Sequence, residues 1–279
     1  MGKILWLASY PKSGNTWLRA FLHNLIHDRG GPLDLNALPG STLMDAARTF
    51  YEPLIDKPWD DVTAQDAARL RPRVQQAMAA SRKGTVMVKT HSMLTRLSGV
   101  PSHDPDLTAG AICIVRDPRD IAISYADHLG IAIDVTIVSM GTPDATTYTT
   151  RNGVAEFLGS WSQHVTSWAD QEGPTVLVLR YEDMLADPLA CFGRVADFLH
   201  LDAAPALLRK AVDNTGFEQL TRQESATGFR ERSPEQQRFF RKGRAGGWRG
   251  MLSPQQQARI EADHGTVMRR LGYLGNEGS

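Results

Sequence analysis

The sequence predicts an α/β fold: a central parallel sheet flanked by helices, entered through a P-loop-like strand–loop–helix unit. Three observations carry this. First, short apolar runs bounded by turn residues read as buried strands: Ile4–Ala8, Thr85–Lys89, Ala111–Val115 and Thr175–Arg180. Second, each run is followed by polar residues and then a helical pattern, which implies right-handed crossovers between parallel strands. Third, the first run passes through Tyr10-Pro11-Lys12-Ser13-Gly14-Asn15-Thr16 into the amphipathic stretch Trp17–Ile26. That is a strand, a loop the size of a phosphate and a helix N-terminus, where unpaired N–H groups and the macrodipole favour an anion.

Helices are predicted over Thr16–His27, Thr63–Ala80, Pro118–Leu129, Val154–Gln171, Pro188–Leu199, Pro205–Val212 and Pro254–Leu271. Several open on proline, which suits the first turn because its missing N–H would have no partner there. Three stretches lack periodicity and read as loops or lids: Gly30–Asp61, residues 130–153, and the basic, glycine-containing residues 221–247. No repeat of 20–50 residues is visible. A chain of 279 residues is then expected to be a single domain over 1–279.

Composition narrows the function. With 31 basic and 31 acidic residues the net charge is zero, which argues against a general nucleic-acid or membrane-surface binder. An anion site must therefore be local. Only Cys113 and Cys191 are present, both among apolar neighbours, so buried thiols in a reducing compartment are expected rather than a disulfide framework. No apolar run reaches the roughly 18 residues of a membrane span. The first apolar run is too short for a signal-peptide core of about 7–15 residues, so the expectation is a cytoplasmic protein.

In a parallel sheet, ligands bind beyond the carboxyl ends of the strands. The residues to read are therefore Lys12–Thr16, Lys89–His91, Arg116–Arg119 and Tyr181–Asp183. The first loop departs from G-x-x-x-x-G-K-[ST]: Gly14 is followed by Asn15, and Lys12 precedes the glycine, approaching an anion from the strand side. Arg116 leaves its strand end able to fork onto a phosphate, and Ser124 follows about two helical turns later. Around it, Asp117 and Pro118 read as helix cap and first-turn proline, with Arg119 and Asp120 as a solvated pair. Arg241-Lys242-Gly243-Arg244-Ala245-Gly246-Gly247-Trp248-Arg249 surrounds flexible glycines with cations, a pattern that suits close backbone approach to phosphate. His91 ends a predicted strand, and imidazole is the usual proton acceptor for a hydroxyl nucleophile. Each motif alone also reads as an ordinary turn, cap, charged loop or structural histidine. There is no C-x-x-C, H-E-x-x-H or carboxylate cluster, so no metal site is expected.

Taken in order, Y-P-K-S-G-N-T-W, K-T-H, V-R-D-P-R-D-I-A-I-S-Y, Y-E-D-M and R-K-G-x-x-G-x-W resemble the sulfotransferases that use 3′-phosphoadenosine 5′-phosphosulfate (PAPS), the cytosolic-type and small bacterial members above all. The resemblance runs from Ile4 to Trp248 and is weaker over residues 30–80 and 130–153. It implies a P-loop-like, nucleoside-triphosphate-hydrolase-type sulfotransferase fold and in-line transfer of a sulfuryl group from PAPS to a hydroxyl, leaving PAP. It further implies that Lys12, Ser13, Gly14, Asn15 and Thr16 hold the 5′-phosphosulfate, and that Lys12 neutralises the leaving oxygen. By the same resemblance, Arg116, Ser124, Arg241, Lys242 and Gly243 hold the 3′-phosphate. Trp17, Tyr181, Thr215 and Phe217 line the adenine pocket. His91 is the base, with Lys89 beside it, and no metal is needed.

Two departures stand out. The usual G-D-W-K reads Gly246-Gly247-Trp248-Arg249, and the dimer motif K-x-x-x-T-V-x-x-x-E is absent from Arg249–Arg259, which leaves monomer or homodimer open. The expected acceptor is a small molecule, a natural product or a glycan, and the resemblance does not choose among them. Phe50, Tyr51, Trp59, Tyr125, Tyr148, Phe157, Phe229 and Phe239, in or near the three loop regions, suggest a partly hydrophobic acceptor, although core packing accounts for several of them equally well. A Mg-ATP-dependent small-molecule kinase and a non-catalytic nucleotide-binding protein on the same fold are the alternatives. Nucleic acid is not an expected partner.

Overall fold

The computed structural model describes residues 2–275, except 29, 98 and 172–174. Its strands are β1 (Lys3–Ser9), β2 (Thr42–Met44), β3 (Thr85–Thr90), the small antiparallel pair β4 (Arg96–Leu97) and β5 (Val100–Pro101), β6 (Thr108–Val115) and β7 (Val176–Arg180). Five of them form one sheet in the order β2-β3-β1-β6-β7. β3 pairs parallel with β1, from Lys3↔Thr85 to Ala8↔Thr90, and parallel with β2, from Thr42↔Met87 to Met44↔Lys89. In β1 every residue after Lys3 is buried, and in β6 every residue after Ala109. Unbroken burial of this kind is what a parallel sheet covered on both faces requires.

The four predicted strands are all present. β2 lay inside the Gly30–Asp61 stretch read as loop; at three residues it is too short to show a period, and its order comes from pairing with β3. The helix Pro118–Leu129 has the predicted bounds, capped by the Asp117 side chain on Arg119 N and closed by Gly130 at φ 66°. The helix predicted from Val154 begins at Trp161, after Ser160 and Gln163 form a reciprocal cap. The preceding residues instead make isolated bridges, such as Thr146↔Phe157. Helices also occupy stretches read as loop: Leu38–Ser41 and Arg48–Tyr51 within Gly30–Asp61, Ile133–Gly141 within 130–153, and Phe217–Thr227, which runs into 221–247. Tyr181–Ala186, expected as the turn after a strand, is also a short helix. No single helix among the described residues is long and apolar enough to cross a membrane. Cys113 and Cys191 are buried free thiols.

By contact density the chain divides into two compact units. One comprises Met1–Tyr10, Thr42–Cys113 and Ser139–Val178, the other Pro11–Ser41, Ile114–Val138 and Leu179–Ser279. The first has a polar centre. Arg71 and Asp45, both fully buried, pair at 2.5 Å, and Asp45 also accepts from Thr90 Oγ1 at 3.1 Å. Burial holds the Asp45 carboxyl above the usual carboxylate range, against the pull of Arg71. Removing one partner of such a pair typically costs about 3–5 kcal/mol, because the other charge is left buried alone.

The second unit is tied together through Arg119 and Asp120. Arg119 donates to Asp117, to Glu261 and to the Tyr273 carbonyl. Asp120 accepts from Gly246 N at 2.7 Å and Trp248 N at 2.9 Å. Both are buried, which corrects their reading as a solvated pair: protein donors and acceptors take the place of water at each. A Cβ on Gly247 would lie 3.5 Å from Asp120 Oδ1, an ordinary van der Waals contact.

Candidate active site

Every residue expected to hold nucleotide falls in the second unit, and His91 and Lys89 fall in the first. The phosphate loop is built as the sequence demands. Lys12 adopts φ 66°, which costs an L-residue roughly 1–2 kcal/mol, and Arg116 Nη1 holds its carbonyl at 2.9 Å. Gly14 follows at φ 106°, and a Cβ on it would come within 2.8 Å of the Tyr181 ring. The helix Asn15–Ile26 then starts with no side-chain cap and no acidic residue in its first turn. The helices starting after Thr63, Asp117, Ser160 and Ser253 all have a side-chain cap. Ser13 Oγ is buried at this turn with no hydrogen-bond partner. An uncapped helix start, a buried hydroxyl and a lysine together are a fit for an anion.

Around the loop, the Arg116 guanidinium lies 4.3 Å from the Tyr181 ring centroid, and its Nε is buried without a partner. Burial pushes the Tyr181 phenol up, opposed by Arg116, so the phenol stays neutral. Trp17 stands edge-on to Phe192 at 5.4 Å and to Tyr181 at 6.2 Å, with its Nε1 buried and unpaired. Lys12 Nζ lies 4.1 Å from the Phe239 ring centroid. Lys12, Ser13, Gly14, Trp17, Arg116 and Tyr181 are therefore one cluster, with Asn15 and Thr16 buried at its helix start.

The remaining nucleotide residues are placed less uniformly. Ser124 sits one turn before Asp127 on the helix Pro118–Leu129, and Arg241 pairs with Asp127 at 3.4 Å. Gly243 takes φ 53°, and a Cβ there would stand 2.2 Å from the Phe217 ring, so only glycine lets these two meet. Lys242 is turned toward Met251 Sδ at 3.1 Å and is exposed. Thr215 is fully buried and its hydroxyl donates to the Ala211 carbonyl at 2.9 Å.

In the first unit, register makes the site. Ala8↔Thr90 is the last pair of β1 and β3, so Ser9 and His91 come next to each other. His91 Nδ1 donates to the Ser9 carbonyl at 2.7 Å, so whenever the ring is neutral its acceptor is Nε2. The His91 N–H donates to Glu156 Oε1 at 3.1 Å. Lys89 is two residues earlier, and its carbonyl accepts from Asp45 N at 2.9 Å. Neither Ser9 nor Glu156 was legible as a partner of His91, since strand register and loop contacts do not show in a single sequence.

His164 is a further residue the sequence did not mark. It is fully buried, edge-on to Tyr10 at 5.5 Å. Burial first, and the charge of His91 second, push its pKa down to about 3. The unfolded chain binds this proton near pH 6.5 and the folded one only near pH 3. Stability is therefore complete above pH 6.5 and falls as pH drops from there toward 3, by an amount on the order of 3–5 kcal/mol. Urea melts from pH 7 to 4 should show a shallower decline for His164→Leu than for the parent protein. An unchanged slope would remove His164 from the acid limb.

The family model described as the sulfotransferase domain matches residues 3–272. The chain belongs to that family. Curated relatives of this sulfotransferase include sulfotransferase 1A1 of Rattus norvegicus, 26% identical over 95% of this chain and 84% of the relative. Flavonol 3-sulfotransferase of Flaveria bidentis is 23% identical over 92% of this chain and 79% of the relative. Among solved structures, retinol dehydratase in complex with androsterone and PAP superposes with TM-score 0.65 at 20% identity, covering 95% of this chain and 80% of that one. Mouse sulfotransferase SULT7A1 complexed with PAP gives TM-score 0.60 at 20% identity, over 96% of this chain and 85% of that one. The fold is thus the sulfotransferase fold.

The aromatic residues expected to mark a hydrophobic acceptor divide. Tyr51, Tyr125, Phe157 and Phe229 are buried among the core residues, where packing alone accounts for them. Tyr148 is 88% exposed, and Trp59 is stacked under Arg48 at 4.6 Å.

Proposed function

We propose that this protein transfers the sulfuryl group of PAPS to the hydroxyl of a small-molecule, natural-product or glycan acceptor, and that residues 1–279 work as one catalytic domain. The chain passes between the units after Tyr10, Ser41, Cys113, Val138 and Val178, so neither is a continuous stretch of sequence. The observation that carries the reading is the uncapped Gly14 turn, with Ser13 Oγ unpaired and Arg116 and Lys12 attached to it. PAP in retinol dehydratase and in SULT7A1 supports the choice of nucleotide.

On this reading the 5′-phosphosulfate lies against the N–H groups of the Gly14 turn and Ser13 Oγ. Lys12 neutralises charge on the bridging oxygen as the S–O bond breaks. Arg116, Ser124 and Arg241 take the 3′-phosphate, for which Arg241 must leave or share Asp127. Trp17, Tyr181 and Phe217 pack on adenine. His91 Nε2 accepts the acceptor proton as its oxygen closes on sulfur, and the Ser9 carbonyl steadies the imidazolium so formed. Ser9, which holds His91, precedes Lys12 by three residues in the chain.

Calorimetry tests the nucleotide half. The intact protein should bind PAP far more tightly than AMP. Arg116→Ala should weaken PAP about 10- to 100-fold, the worth of a charge-assisted hydrogen bond of about 1.5–3 kcal/mol, and weaken AMP less, since AMP feels only the lost brace on the Lys12 carbonyl. Equal affinity of the intact protein for PAP and AMP would overturn the two-phosphate reading.

A further inference from the structure

We propose that Glu224 is a positioning residue for Lys12, acting through the ring of Phe239. This rests on the reading of Lys12 as the lysine that neutralises the leaving oxygen. Glu224 lies on the helix Phe217–Thr227 and is buried. Its two carboxylate oxygens accept from two consecutive main-chain donors: Oε1 from Phe239 N at 2.7 Å and Oε2 from Phe240 N at 2.9 Å. A carboxylate bridging adjacent N–H groups makes strong, charge-assisted bonds and fixes the peptide between them. The Phe239 ring is further wedged edge-on against Phe229 at 4.8 Å and Phe240 at 5.1 Å. Its face then receives the Lys12 ammonium at 4.1 Å. The seat belongs to the cluster of Ala20, Leu35, Leu38, Leu220 and Phe229, on which Trp17, Phe239 and Phe240 pack.

The physical need for such a seat is plain. A lysine carries about 2 kcal/mol of rotamer freedom, and this one must meet a charge that exists only as the S–O bond breaks. A π face attracts the ammonium and brings no counter-charge of its own. A carboxylate in the same place would neutralise it. Glu224 instead spends its charge on two peptide N–H groups and passes only position to Lys12.

The experiment is steady-state kinetics with PAPS, together with PAP calorimetry and thermal melts, on Phe239→Leu, Phe239→Trp, Glu224→Gln and Lys12→Ala. Phe239→Leu keeps the main-chain donors and most of the volume but loses the π face. It should lower kcat about tenfold, one cation–π contact, with KM for PAPS within a factor of two. Phe239→Trp, which restores a π face, should recover most of kcat. Glu224→Gln, folded by its melt, should also lower kcat more than it raises KM for PAPS. In a Lys12→Ala background, Phe239→Leu should have no further effect on kcat. Unchanged kcat in Phe239→Leu, or an equal loss with and without Lys12, overturns the proposal. Full activity of Lys12→Ala would overturn instead the role of Lys12 on which it rests.

Discussion

His91→Ala is expected to lose sulfuryl transfer by about 10²–10⁴-fold, the usual contribution of a positioned general base, while PAP binding stays within a factor of two. The split follows from where the residues lie. All residues assigned to the nucleotide are in the second unit, whereas His91 makes its bonds to Ser9 and Glu156 inside the first. The alanine variant also removes the bond to the Ser9 carbonyl, so a loss of rate by itself leaves open a structural cause. His91→Asn separates the two. Its side-chain amide can still donate to the Ser9 carbonyl, but the amide has no basic nitrogen to take a proton. It should melt like the parent protein and be as inactive as the alanine variant. An asparagine variant with more than a tenth of the parent rate would strip His91 of the role of base.

The elements that were legible in the sequence share a physical cause. β1, β6 and the helix Pro118–Leu129 are specified locally: by uninterrupted apolar runs, and by Asp117, Pro118 and Gly130 acting as punctuation. The Lys12 turn was legible because Gly14 has no alternative at φ 106° beneath Tyr181. What stayed hidden is non-local. β2 exists because β3 offers it an edge, and the Phe217–Thr227 helix has a polar sequence whose order comes from packing of Leu220 and from Glu224. Arg119 and Asp120 look solvated in sequence because their partners, Glu261 and the Gly246–Trp248 main chain, lie more than a hundred residues away. The same holds for the Phe239 seat of Lys12: a basic strap and a phosphate turn can be read separately, but not that one supplies an aromatic face to the other.

Lys12→Met should lower kcat by about 10²–10³-fold, the cost of removing one preorganised charge stabiliser, and should raise KM for PAPS much less. Methionine keeps the length and the apolar stem of lysine, so the Phe239 ring stays covered and the ammonium alone is lost. The asymmetry is the point of the measurement. In the ground state the 5′-phosphosulfate spreads its charge over several oxygens, which the Gly14 turn and Ser13 can share. As the S–O bond breaks, charge collects on one bridging oxygen, and an ammonium there gains in the transition state what it did not have before. An interaction of that kind appears in kcat and kcat/KM alike and leaves ground-state binding of PAPS, read as its KM, nearly untouched. If Lys12→Met instead raised KM for PAPS as much as it slowed turnover, Lys12 would be a phosphate-binding residue of the ordinary sort. The leaving oxygen would then have to be neutralised by another cation of the same cluster, of which Arg116, already bound to the Lys12 carbonyl, is nearest at hand.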